Sequence, residues 1–389
     1  MKIYSPAIIS AKEKVVVGHG SNLVWCDILG RRYRQKGQKV EYFFPSLNNH
    51  GKRFDGVDRQ HLDESLKEIR ICLERKLGLF GIDSYQTYED SNPDSERNTQ
   101  KYFRILQNRT FIKQVGEQYF LDISRIIQGT DFIENLKKIN FAPSGEVRKR
   151  LFDLTKTLSG LYPISKPRDF ATEIPSFTNK HEKINPIFDL AVSPALFSEG
   201  SIDYAVDGSR TLLPGLFIPL AVWSGLFNRV FSKNICVHGY ATNEGSRDVE
   251  EFYKQIRTKL IQSDILRYCA LQCTDSFEDT GLNQDRILGA EKLLYRVLNL
   301  SKHILKHLGP QKREDNENEG LGEMIDKMNH IKALYSFESE MFAISGRTHH
   351  AGQIDKSDAR EFLRSLNTME PFFPITIKRT KEIVYGGRV

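Results

Sequence analysis

Apolar and polar positions follow each other along the chain in blocks whose period changes. The apolar run at 15–17 is closed by Gly-His-Gly-Ser-Asn and followed by LVWCDILGRRYRQKG. That order predicts a buried strand, a tight glycine turn and a helix ending near Gly37. KVEYFFP follows at once as a second strand. Strand, turn, helix and strand at this spacing predict a right-handed βαβ crossover, and with it a parallel sheet.

Leu62, Leu66, Ile69, Leu73 and Leu77 recur at three- and four-residue intervals and predict one face of a helix over 57–80. A further helix is expected over 95–109, with YEDSNPDSER between them as a proline-bearing loop. From 110 to 170 the pattern shifts to short strand-like pieces, among them FIKQVGEQYFLDI, with a helix near 145–158, which suggests an inserted subdomain. The apolar character returns after 187. IDYAVDGSRTLLPGLFIPLAVWSGLF reads as a turn and a buried helix, and NICVHGY as a short strand. Helices are expected over 249–262, 264–273 and 283–308, followed by the polar linker GPQKREDNENEG, a helical region over 321–341 and a less regular tail with one more helix, SDAREFLRSL. No internal repeat of fixed period is visible.

At 389 residues, with 39% apolar positions, 24 Phe and 15 Tyr, the chain has material for a large packed core, which sets aside disordered and disulfide-stapled classes. No window approaches eighteen uninterrupted apolar residues, and the N-terminus has no secretory pattern, so a cytoplasmic protein without a membrane partner is expected. The five cysteines form no C-x-x-C pair and suit free thiols. A net charge of +6, from 56 basic against 50 acidic residues, permits a polyanionic partner without indicating one. H-E-x-x-H, G-x-S-x-G, EF-hand and Walker patterns are absent, which leaves zinc hydrolysis, serine esterase chemistry and calcium sensing without support and gives no metal site.

Four places carry candidate chemistry. Gly18, His19, Gly20, Ser21 and Asn22 open the first helix, where free N–H groups and the helix dipole favour phosphate; the alternative is a tight turn with no ligand. Asn48, Asn49 and His50 follow the second strand and suit a small polar substrate such as an amino acid, or form an ordinary turn. Asp207 and Arg210 lie in a turn before a hydrophobic helix, with Arg210 either an anion partner or a solvated residue. His238 and Gly239 end a third strand, with His238 either in a shared crevice or a core histidine.

Val16, Val17, Gly18 and His19, followed by Asp27, Arg32, Tyr33, Arg34 and Gly37, together resemble the first signature of the class I aminoacyl-tRNA synthetases, methionyl-like subgroup. Val16 stands where the first signature histidine would be. Ser46 to Gly51 resembles the next block, with Asn48 in place of its aspartate. The likeness continues through NTQKYFRILQNRTFIKQVGEQYF, FIPLAVWSGLF, ICVHGYATNEG and SDILRYCAL, with Asp264, Arg267 and Tyr268 in the stem-contact positions. The departure lies after Gly245. Where the family has Lys-Met-Ser-Lys-Ser this chain has Arg247, Asp248, Val249, Glu250 and Glu251, so Arg247 alone replaces a lysine and Glu250 occupies the second lysine position. Losing one well-placed transition-state donor costs about 3 to 4 kcal/mol, so ordinary fast aminoacylation is not expected.

The resemblance implies an α/β fold with a Rossmann-like (HUP-type) parallel sheet, an inserted subdomain and a C-terminal helical domain. It places the first half of the catalytic domain at 1–95, the connective insertion at 96–185, the second half at 186–248, and a stem-contact-like segment with a shortened helical domain at 249–389. ATP, with Mg2+, is the implied cofactor. Gly18, His19, Gly20, Asn22, His238 and Gly239 are the implied ATP contacts, His19 and Arg247 the catalytic pair, and Asn48, His50, Asp207 and Arg210 the substrate contacts. Partners would be an amino acid, ATP, and tRNA or a carrier-type acceptor. The implied function is adenylate formation and acyl transfer, or, with a dead site, a ligand-, RNA- or protein-binding regulatory role.

Overall fold

The computed structural model describes residues 1–6, 9–10, 17–47, 59–82, 85–89, 92–142, 145–158, 160–168, 171–175, 182–197, 202–239, 241–243, 249–272, 280–311 and 316–385. They form two compact units: 1–15, 39–75 and 84–238 in the first, 16–38, 76–83 and 239–389 in the second.

The first unit is built on a seven-stranded sheet in which every pairing is parallel. β1 (Lys2–Tyr4) is central, with β3 (Glu41–Leu47) on one side and β11 (Ile202–Gly208) on the other. β2 (Ile9–Ser10) and β4 (Gln86–Glu89) pair with β3; β12 (Ser232–His238) and then β7 (Asn140–Ala142) extend the sheet beyond β11. The strand order reverses between β1 and β11, and in parallel sheets the carboxyl ends of the strands at such a reversal are the usual place for ligands. An antiparallel sheet of β5 (Ile112–Val115), β6 (Gln118–Asp122) and β8 (Leu161–Pro163), and a hairpin-like pair β9 (Ser165–Pro167) and β10 (Glu182–Ile184), make the inserted subdomain. Helices α3 (Pro93–Asn108), α4 (Ile123–Gly129), α5 (Phe132–Lys137), α6 (Gly145–Thr157), α7 (Pro186–Phe197) and α8 (Ile218–Phe227) complete this unit, and α2 (Arg59–Leu79) begins in it.

The second unit holds α1 (Val17–Gln35), the last turn of α2, α9 (Val249–Gln255), α10 (Gln262–Gln272), α11 (Gln284–Leu308), α12 (Glu319–Asp326), α13 (His330–Ala351), α14 (Lys356–Met369) and α15 (Pro374–Val384). A short parallel pair, β13 (Ala241–Asn243) and β14 (Thr280–Leu282), lies beside α1.

α7 and α8 are buried almost throughout, which explains why neither shows an amphipathic stripe in sequence. Ser209–Phe227 is the one helical stretch among the described residues long and apolar enough to cross a membrane, and 72% of its apolar window is buried inside the protein. It passes from a 3₁₀ turn through a π-helical turn, Leu212–Phe217, into α8. Pro219 supplies the reason: it has no N–H for the carbonyl four residues back and its ring crowds that carbonyl, and a widened turn relieves both.

Several expectations need correction. The valine run is not the first strand: Val17 already belongs to α1, and the first strand is β1, at Lys2–Tyr4. Three β-branched residues are too few to distinguish a strand from a helix start. IDYAVDG forms strand β11 rather than a turn; its two aspartates hid the pattern. Tyr88 and Glu89 lie in β4 and Pro93 opens α3, so both ends of the expected loop are regular structure. The helix over 249–262 ends at Gln255, the region over 321–341 is two helices, and the irregular tail contains α15.

Candidate functional site

In the first unit the carboxyl ends of three parallel strands deliver Tyr4, Asp207 and His238. The last residue of β12, His238, lies in register with Gly208, and both His238 and Asp207 are fully buried. Oδ1 of Asp207 accepts from its neighbour Gly208 N at 2.8 Å and from Thr211 Oγ1 at 2.6 Å. This closes the turn that launches the following helix and fixes the carboxylate plane. Gly215 sits so close to the other carboxylate oxygen that a Cβ there would overlap it and press on Pro6. Tyr4 bonds Ser193 Oγ at 3.1 Å, and burial, then the nearby Asp207 charge, holds its phenol well above the ordinary range despite that bond. Arg210 is exposed in the 3₁₀ turn.

In the second unit Gly18, His19, Gly20 and Asn22 all lie within α1, not in a turn ahead of it. The first four N–H groups of a helix have no intrahelical acceptor, so Val17 to Gly20 present the donors an anion would take. Asn22 is the sixth residue of the helix and buried. Gly20 has a packing role: a Cβ there would run into the ring of Phe80, itself fully buried. Asn48, His50 and Arg247 fall outside the described residues. Gly239, directly after β12, is buried.

The remaining signature positions are structural. Asp27 accepts from Arg267 Nη1 and Arg31 Nε, both at 2.7 Å. Arg32 reaches Glu317 at 2.6 Å and Asp326 at 3.2 Å; burial alone would weaken its charge, and these two carboxylates outweigh it and raise its pKa. Gly37, just past α1, adopts φ +76°, a conformation in which glycine has no side-chain penalty.

One feature escaped the sequence reading. Between α11 and α13 lies a cavity of about 650 Å³ lined by Lys292, Tyr295, Arg296, Asn299, His303 and His349. The Arg296 guanidinium stacks 3.5 Å from the centroid of the Phe342 ring, which is 50% exposed. Lys292, Arg296 and His303, four and then seven residues apart along one helix, were the signal available in the sequence. Among the described residues no group of three or more His, Cys, Asp or Glu is placed to hold a metal.

No protein-family model matches the sequence, and neither does any protein of curated function. Solved structures do match. The methionyl-tRNA synthetase of Mycobacterium tuberculosis bound by methionyl-adenylate aligns over 99% of this chain and 96% of its own, with TM-score 0.73 and 12% identity. A second structure of that enzyme in complex with methionyl-adenylate gives 100% and 96%, TM-score 0.72 and 13% identity. Its apo form gives 99% and 93%, TM-score 0.70 and 13% identity. The chain thus has the fold of the class I methionyl-tRNA synthetases along its length, at an identity that leaves its chemistry to be argued from its own residues.

Proposed function

We propose that the protein activates an amino acid with ATP and passes the acyl group to an acceptor that need not be tRNA. The observation that carries this reading is full-length agreement in fold with enzymes seen with an aminoacyl adenylate. In the reaction a carboxylate oxygen of the amino acid attacks the α-phosphorus of ATP and pyrophosphate leaves; the acceptor nucleophile then attacks the acyl carbon of the mixed anhydride, taking the acyl group and releasing AMP. The first-turn N–H groups of α1, at Gly18 and Gly20, and His19 hold the α-phosphate and stabilise the charge that develops on it. Arg247 assists the departing pyrophosphate. Asn48 and Asp207 hold the amino acid, Asp207 through a carboxylate already oriented by Thr211 and Gly208. Mg2+ would travel with the ATP phosphates.

A second reading is favoured by the groove between α11 and α13. The ring of Tyr295 beside Lys292, Arg296 and two histidines suits a stacked base and its phosphates, so a protein without turnover would still bind RNA there. Amino-acid-dependent ATP–pyrophosphate exchange, screened across amino acids, decides between them. Exchange that disappears in His19→Ala supports the ligase. Its absence for every amino acid, with salt-dependent RNA binding that Arg296→Ala weakens, supports the binding module.

A further inference from the structure

The groove between α11 and α13 has buried polar groups that the proposed ligase chemistry does not use. Thr348 of α13 lines it at 4% exposure, and among the described residues its Oγ1 has no hydrogen-bond partner. A threonine inside a helix ordinarily returns its hydroxyl to a carbonyl one turn back, so this one is kept available for another acceptor. On the facing helix, Nη1 of Arg296 is likewise buried without an acceptor. The guanidinium sits 3.5 Å from the centroid of the Phe342 ring, and that contact fixes where its remaining donors are presented.

The charge along the groove is left over on the positive side. Glu291 is the one acid among the lining residues, and its Oε1 already accepts from Thr258 Oγ1 at 2.9 Å and Thr258 N at 3.3 Å. Glu338, the carboxylate that acts on Arg296, accepts from the Tyr268 hydroxyl at 3.2 Å. Burial pulls the Arg296 pKa down, and Glu338 offsets only part of that pull. Lys292, four residues before Arg296 on α11, forms no ion pair among the described residues and lines the same wall. Tyr295, 47% exposed, stands between these two cations, its hydroxyl 3.3 Å from Thr258 Oγ1.

We propose that the groove binds one free nucleoside phosphate, its phosphate held by Arg296, Lys292 and Thr348 and its base laid on the face of Tyr295. The assignment rests on the groove of the binding-module reading and narrows its occupant from RNA to a single nucleotide. A cavity of 650 Å³ falls inside the range of about 300 to 1,000 Å³ typical of small-ligand sites. A single strand of RNA is instead tracked by a succession of aromatic faces. Here Phe342 already carries Arg296 on one face, and Tyr295 offers a place for one base.

Titration of the full chain with AMP, in the wild type, His19→Ala and Arg296→Met, tests the assignment. Binding is expected to survive His19→Ala and to weaken at least about tenfold in Arg296→Met, the loss of one charge-assisted hydrogen bond. No binding of AMP, or binding lost with His19 and kept without Arg296, overturns it. Photolabelling of the wild-type chain with 8-azido-AMP needs no variant: label on 284–308 or 330–352 supports the site, and label confined to other segments overturns it. Single-stranded RNA bound in an Arg296-dependent way by a chain that ignores AMP also overturns the proposal, while leaving the RNA reading standing.

Discussion

Arg267 donates through Nη1 to Oδ2 of Asp27 across 2.7 Å, with the arginine fully buried and the aspartate nearly so. Three more of its five donors are also placed: Nη1 reaches Phe80 O at 2.9 Å, Nε reaches Phe372 O at 2.9 Å, and Nη2 reaches Pro371 O. One guanidinium thus ties α1, the turn after α2 and the segment before α15 to α10. A buried charge that is bonded on all sides is tolerated, whereas one that loses its partner is not.

Asp27→Ala should therefore cost about 3 to 5 kcal/mol, because it strands the Arg267 charge. Arg267→Met should cost less than that when combined with Asp27→Leu, since the pair then leaves together. Urea unfolding of the two singles and the double measures the coupling, and additive losses would show that the contact does not carry the energy assigned to it.

Gly20→Ala is expected to destabilise by about 1 to 3 kcal/mol, because the new methyl group meets the fixed Phe80 ring. Phe80→Leu placed in the same chain should recover part of that loss. A glycine that looked like room for a phosphate thus has a second duty in packing. Thermal melts report the stability, and ATP-analogue binding to the folded variants separates the two duties.

These pairs also show where the sequence was readable. The leucine spacing of α2 announced its helix, and Leu66 and Leu77 are buried along it; the opening crossover announced a parallel sheet but put its first strand on a valine run whose last residue already belongs to α1. β11 was not readable: Asp203 accepts from Lys2 N at the sheet's start and Asp207 closes the turn at its end, so two necessary carboxylates interrupt an otherwise apolar strand. α7 and α8, buried all round, carry no period at all. Asp27 and Arg267 were visible only as positions in a resemblance. Their partnership spans 240 residues, and nothing local in either segment encodes it.

Acid should attack the inserted subdomain through Asp122. This carboxylate caps α4 by accepting from Arg125 N at 3.0 Å and pairs with Lys113 at 2.5 Å. Burial would raise its pKa, but the lysine and the cap bond outweigh burial and lower it below 3.8. Its contribution is present above that value and disappears as pH falls through the lower folded value. Asp122→Asn keeps an acceptor for the cap but loses the ion pair, so its stability should fall less steeply with acid than that of the wild type. Denaturation midpoints between about pH 2 and 5 measure the difference.

The last prediction concerns Glu250, in the first turn of α9, at the position where the synthetase signature has its second lysine. A carboxylate there repels the triphosphate that the proposed reaction must bind, and the repulsion grows as charge builds on the leaving pyrophosphate. Glu250→Gln removes the repulsion; Glu250→Lys adds a donor as well. An optimally placed donor is worth about 10²- to 10³-fold in kcat, so the lysine variant should raise ATP–pyrophosphate exchange by roughly tenfold or more, with the glutamine variant between it and the wild type. That order would place the rate deficit in the altered loop. An unchanged rate in both variants would move it elsewhere, because a site already limited by amino-acid binding gains nothing from better pyrophosphate stabilisation.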